Sequence, residues 1–251
     1  MSKHKSTKPQ AKGKVSAEVD KIDWREQLYN GGECGPLASV QLPESMVTSL
    51  RGIQLDFDPR LYRPEVLSAK AKKDPALFSK QLIRLWLRRH PTLAKAERRI
   101  SGQGIHGILW LNRPVEFENE PARQRWAAIV KVIQKCLPCD PDSPGICALT
   151  RPVGSINGKN GVKVRTIFQG EPVSADEVLR LFEEIRSKPF YLVATLLLGS
   201  TRVTPCPVCG THGTRLDALD WVGKCYGHCG QVRIGQLFDV FLRPRAGKKG
   251  G

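Results

Sequence analysis

The sequence predicts an α+β domain over residues 24–190, followed by a small cysteine-rich module over residues 200–243. Three observations predict it. Short apolar, strand-like runs alternate with helical patterns. Hydrophobic residues make up 40% of the chain, enough for a real core. The composition then shifts at "VTPCPVC", where two cysteine pairs and several glycines begin. A chain of 251 residues suits one such domain with one small module.

In chain order, residues 1–20 are rich in Lys, Ser and Pro, bury almost nothing and read as a disordered basic tail. Residues 52–58 form the first strand candidate. Residues 75–89 place Phe78, Leu82, Leu85 and Trp86 at helical spacing. Residues 105–111 are an apolar strand. Pro121 opens a helix with Trp126, Ile129, Val130 and Ile133 on one face, and residues 163–168 are another strand. Ser174 and Glu177 make a capping box ahead of Val178, Leu181, Phe182 and Ile185. The run "FYLVATLLLG" is too short to span a membrane and reads as core. Residues 244–251 form a second basic tail.

Lys and Arg number 40 against 24 Asp and Glu, a formal charge of +16. That surplus favours a polyanionic partner, nucleic acid before an anionic membrane. The N-terminus lacks the apolar segment of a secretory signal, so a cytoplasmic location is expected. The 8 cysteines then read as reduced thiols or metal ligands rather than disulfides.

Three stretches carry chemistry. In "GIQLDFDPRLY", Asp56 and Asp58 are two apart, so a strand would project both carboxylates from one face and Phe57 from the other. Like charges so placed suit a hard divalent cation such as Mg²⁺. In "SGQGIH", Gly102 and Gly104 allow a tight turn, and His106 begins a strand where an imidazole can meet a phosphate oxygen. Asp140 and Asp142 precede "RPVGSINGKNGVK", where Arg151, Asn157, Lys159 and Lys163 stand among glycines suited to cradling phosphate.

In this order and spacing, the three stretches resemble the archaeo-eukaryotic primase superfamily, the primase–polymerases, over residues 50–185. Its pattern is an acidic pair, "SGxGxH", and an acidic residue ahead of a loop like "RxPGTxNxK". This chain carries "PVGS" where "PGT" is commoner. The resemblance implies a catalytic core with an α/β unit and an RRM-like sheet, and template-directed nucleotidyl transfer on single-stranded DNA from nucleoside triphosphates. By position, Asp56, Asp58 and Asp140 would hold Mg²⁺ or Mn²⁺, with Asp142 competing for the third place. Ser101, Gly104 and His106 would bind the nucleotide. Arg151, Asn157 and Lys159 would contact phosphate or template. A replicative helicase is a candidate partner. The chemistry is coherent on its own terms, since such transfer uses cations held by carboxylates and positive groups on the triphosphate. The alternative is an inactive single-stranded nucleic-acid-binding accessory protein.

Cys206 and Cys209, then Cys225 and Cys229 after fifteen intervening residues, read as a structural zinc ribbon, with Gly210 and Gly230 turning each knuckle. The second pair is one residue wider than usual, which leaves His228 as an alternative ligand and His212 as an outside candidate. The module also resembles the zinc ribbons attached to DNA primases, and it is expected to organise template contacts without entering the chemistry. Cys34, Cys136, Cys139 and Cys147 read as core or incidental residues.

Overall fold

The structure, a computed structural model, describes residues 43–100, 102–148 and 150–243. Both tails, Cys34 and Ser101 lie outside the described residues.

Strand β1 (Ser49–Phe57) alternates as expected: Ile53, Leu55 and Phe57 are buried on one face. It is followed by a 3-10 turn (Pro59–Leu61) and four short helices, α1 (Ala69–Lys73), α2 (Pro75–Phe78), α3 (Arg84–Leu87) and α4 (Pro91–Ala94). The single helix expected over residues 75–89 is interrupted by a π-helical turn, Ser79–Ile83. That turn adds a residue and rotates the apolar face, so Ile83 and Leu87 are buried with Phe78 and Trp86, while Leu82 and Leu85 lie half-buried.

Strands β2 (Glu97–Ile100) and β3 (Ile105–Glu116) form a hairpin, helix α5 (Glu120–Gln134) follows, and β4 (Arg165–Phe168) returns to the sheet. The sheet is antiparallel in the order β1-β3-β2-β4. Helix α6 (Ala175–Ser187) starts at the expected Ser174–Glu177 capping box, and α7 (Pro189–Leu198) is the apolar run read as core.

The cysteine module is a second antiparallel sheet, β5 (Arg202–Val203), β6 (Leu216–Ala218), β7 (Gly223–Cys225) and β8 (Gln231–Val232), closed by α8 (Ile234–Phe238). It shares one apolar core with the first sheet: Leu216, Val232 and Leu237 belong to the same cluster as Phe190 and Leu196. Gly223 lies so close to Phe190 that an added Cβ would stand 2.5 Å from its ring. Among the described residues no helix is long and apolar enough to cross a membrane.

Candidate functional site

One cross-strand row carries the polar chemistry. Asp56 of β1 pairs with His106 of β3, His106 with Arg99 of β2, and Arg99 with Thr166 of β4. Residues in register share a face, so all four side chains project together, opposite the face that buries Phe57. His106 Nε2 stands 3.8 Å from Asp56 Oδ1, beyond hydrogen-bond length. Burial, aided by Arg151 and Arg99, lowers the imidazole to about 4. Near neutral pH the pair is therefore a neutral imidazole beside a carboxylate, not an ion pair.

Three carboxylates gather at the end of β1. Burial first, and then the charges of Asp140 and Asp58, push the Asp56 carboxyl up to about 6, against the pull of Arg151 and Arg60. The Asp140 amide donates to the Asp56 carbonyl at 2.7 Å, which ties the loop after α5 to β1. Asp142 is exposed, and its amide donates to Asp140 Oδ1 at 3.0 Å, so Asp142 serves the turn on which Asp140 sits.

Asp58 departs from expectation. The strand stops at Phe57, and Asp58 caps the following 3-10 turn. Its carboxylate accepts the Arg60 amide at 2.8 Å and the Arg60 Nε at 2.9 Å and 3.0 Å. Burial alone would raise its pKa, but these bonds to Arg60 overcome it and hold the carboxyl below the usual range. Asp56, Asp58 and Asp140 do not bring their oxygens together within 4.8 Å. Among the described residues only Cys206, Cys209, Cys225 and Cys229 form such a set of three or more.

The glycine turn is wedged between the acidic strand and the basic loop. An added Cβ on Gly104 would stand 2.6 Å from the Phe57 carbonyl oxygen, and one on Gly102 would stand 2.7 Å from Asn160 Nδ2 and 3.1 Å from Asn157 Nδ2. Residues 151–164 form an irregular hairpin: the Gly154 amide donates to the Val164 carbonyl and the Val164 amide to the Ser155 carbonyl, both at 2.8 Å, and the Asn157 amide donates to the Val162 carbonyl at 2.9 Å. Asn157 is buried, and its Oδ1 accepts the amide of Lys159, whose side chain is exposed. Gly104→Ala is expected to force the turn away from β1, costing about 1–3 kcal/mol of stability. Thermal unfolding of the variant beside the wild type reads that loss.

Sequence reasoning missed Glu97 and Arg99. Arg99 Nη1 donates to the Arg151 carbonyl at 2.9 Å, which links the strand row to the basic loop. Its other nitrogens bond Glu97 at 2.9 Å, and Glu97 also accepts Trp110 Nε1 and Thr166 Oγ1 at 2.6 Å. Four donor groups thus surround one buried carboxylate. The signal available was the charged "ER" ahead of "RISGQG", which reads as solvated surface until strand pairing buries it.

The four cysteine sulfurs of the second sheet lie within 4.8 Å of one another, Cys206 and Cys229 at 4.0 Å, Cys209 and Cys225 at 3.9 Å. Zinc bound at about 2.3 Å by four tetrahedral thiolates needs sulfur–sulfur edges of about 3.8 Å, so the set fits zinc. Backbone bonding at Thr211 and the Thr214 hydroxyl lower the Cys209 thiol to about 5, whereas burial raises Cys206 and pushes Cys229 up to about 12, so of these three only Cys209 favours the thiolate before a metal binds. Gly210 and Gly230 have φ of 64° and 61°, as the knuckles need. His228 and His212 are exposed and stand outside the set.

No protein-family model matches the chain, and no curated protein matches it. Among solved structures it is similar to the AEP domain of the primase-polymerase of cyanophage S-2L, at 15% identity and a TM-score of 0.36. The match covers 56% of this chain and 64% of that one, under two thirds of its length.

Proposed function

We propose that this chain is a template-directed nucleotidyltransferase, a DNA primase or primase–polymerase that makes or extends primers on single-stranded DNA. One observation carries the proposal. Three stretches far apart in sequence meet at one end of a sheet, so that Asp56, Asp58 and Asp140 gather beside a neutral His106 and the charge of Arg151. A protein that only bound a polyanion would gain nothing from clustered carboxylates there.

Asp56 and Asp140 are the residues that would hold Mg²⁺ or Mn²⁺; burial first, and then the charges of Asp140 and Asp58, raise the Asp56 carboxyl, a cost that a bound cation would offset. Asp58 joins them when it releases Arg60, whose guanidinium already occupies its carboxylate as a cation would. The divalent ion, when bound, supplies charge stabilisation for the attacking and leaving oxygens. His106, neutral near pH 7, gives a hydrogen bond to a triphosphate oxygen without needing to be protonated. Arg151 supplies positive charge to the triphosphate, and the Arg99–Glu97 pair holds its backbone in place. Exposed Lys159 contacts phosphate or the template strand. The β1-β3-β2-β4 sheet is then the counterpart of the primase sheet, the ribbon a structural zinc site, and the setting a reducing one such as the cytoplasm.

The test is incubation with single-stranded template, labelled nucleotides and Mg²⁺ or Mn²⁺, with products sized on a gel. Template-dependent products are expected. Their absence with every nucleotide and both metals, from protein that still binds single-stranded DNA, would leave the inactive binding protein as the better account.

A further inference from the structure

The ribbon and the acidic site press on one short segment from two sides. Beyond α8 the chain runs back over the first domain and pairs with residues just past Asp58. The Arg63 amide donates to the Phe241 carbonyl at 2.9 Å, and the Arg243 amide to the Leu61 carbonyl at 2.8 Å. Arg243 Nε donates to the Tyr62 carbonyl at 2.9 Å, and Arg63 Nε to the Leu242 carbonyl at 2.9 Å. Beneath them Phe241 stands edge-on to Trp86, with ring centroids 5.4 Å apart, and Trp86 meets Tyr62 at 5.9 Å. Tyr62 is fully buried. Its hydroxyl donates to the Pro138 carbonyl at 2.7 Å, two residues before Asp140, whose own amide is bonded to Asp56.

We infer that residues 241–243 are a positioning strap for the acidic site, so that the ribbon's metal controls the geometry of the first domain's carboxylates. The strands of the ribbon are only two or three residues long and α8 only five, too little to hold a shape without a staple. A folded ribbon therefore fixes the strap, the strap fixes residues 61–63, and the Tyr62 hydroxyl passes that position to the loop carrying Asp140. Tyr62, Phe241 and Arg243 are positioning residues, and none touches the reacting groups. The ribbon thereby influences cation binding without any contact to the template. This rests on the acidic site holding a divalent cation as proposed above.

Amide hydrogen exchange on the full chain tests it, comparing zinc-loaded protein, the same protein after chelation and re-exchange into buffer, and Tyr62→Phe. Chelation is expected to expose the Arg63 and Arg243 amides and, with them, that of Asp140. Tyr62→Phe keeps the ring and the strap, so Arg63 and Arg243 should stay protected while the Asp140 amide exchanges faster. Its Mn²⁺ affinity should fall about 10- to 100-fold, the usual cost of losing a group that orients a metal ligand. Binding of single-stranded DNA should not change. Protected Arg63 and Arg243 amides in zinc-free protein would overturn the inference, as would a Tyr62→Phe variant with unaltered Asp140 exchange and Mn²⁺ affinity. A wild-type protein that incorporates no nucleotide would defeat the polymerase proposal, while the exchange data would still decide the coupling.

Discussion

Asp56→Asn is expected to abolish nucleotide incorporation and, in the absence of added Mg²⁺ or Mn²⁺, to make the protein more stable. The two effects share a cause. If Asp56 holds the cation as proposed, its loss forfeits several kcal/mol of charge stabilisation, or at least about 10³-fold in rate. Without the cation, that carboxylate is a burden. Its pKa rises from 3.8 to about 6 because of burial and the neighbouring Asp140 and Asp58. The folded state therefore holds the proton more tightly than the unfolded state. Stability is full below about pH 4 and falls as the pH rises through the interval up to about 6. The shift corresponds to at most about 3 kcal/mol, and solvent reaching the side chain, which is 32% exposed, reduces it to about 1 kcal/mol. Asn keeps the shape and loses the charge, so its gain of a few °C should be present at pH 7.5 and absent at pH 4. Thermal unfolding of both proteins at the two pH values checks this. Activity lost together with stability at pH 7.5 would mean that Asp56 is a packing residue.

Cys206→Ser combined with Cys209→Ser is expected to release one zinc per chain and unfold the second sheet. Cys206 is completely buried, and its sulfur is one corner of a thiolate set with the right edge lengths for zinc. Apparent binding free energies for structural zinc reach about 10–16 kcal/mol in small zinc modules, so the strands beyond residue 204 depend on it. The ribbon packs on Phe190 and shares the main core, so the loss should also be felt there. A loss of about 4 kcal/mol would lower Tm by about 10 °C. Elemental analysis and thermal unfolding measure both effects. Zinc-free wild-type protein with an intact second sheet would contradict this account of the ribbon.

What was legible in the sequence followed periodicity and local chemistry. The alternation in β1, the capping box at Ser174 and the cysteine spacing each depend on neighbours close in the chain, and each appears where expected. The misses depend on tertiary context. The π-helical turn at Ser79–Ile83 shifts a face that plain 3.6-residue spacing assigns to Leu82. Strand β2 was hidden because Glu97 and Arg99 look like surface charges until their mutual bonds, Trp110 and Thr166 compensate their burial. Asp58 lies on the sequence as an obvious partner of Asp56, but Pro59 and Arg60 turn its carboxylate into a cap. The strap over Tyr62 joins residues about 180 positions apart, which no local pattern encodes.

The most direct test of the metal site is a Mn²⁺ titration followed by electron paramagnetic resonance, on wild-type protein and on Asp56→Asn, at pH 5 and pH 7.5. Wild-type protein should bind Mn²⁺ more tightly at pH 7.5 than at pH 5, because Mn²⁺ must displace the proton that Asp56 holds with a pKa of about 6. Asp56→Asn should lose both the binding and its pH dependence while retaining zinc. Equal Mn²⁺ binding by the two proteins, or none by the wild type at either pH, would contradict the account.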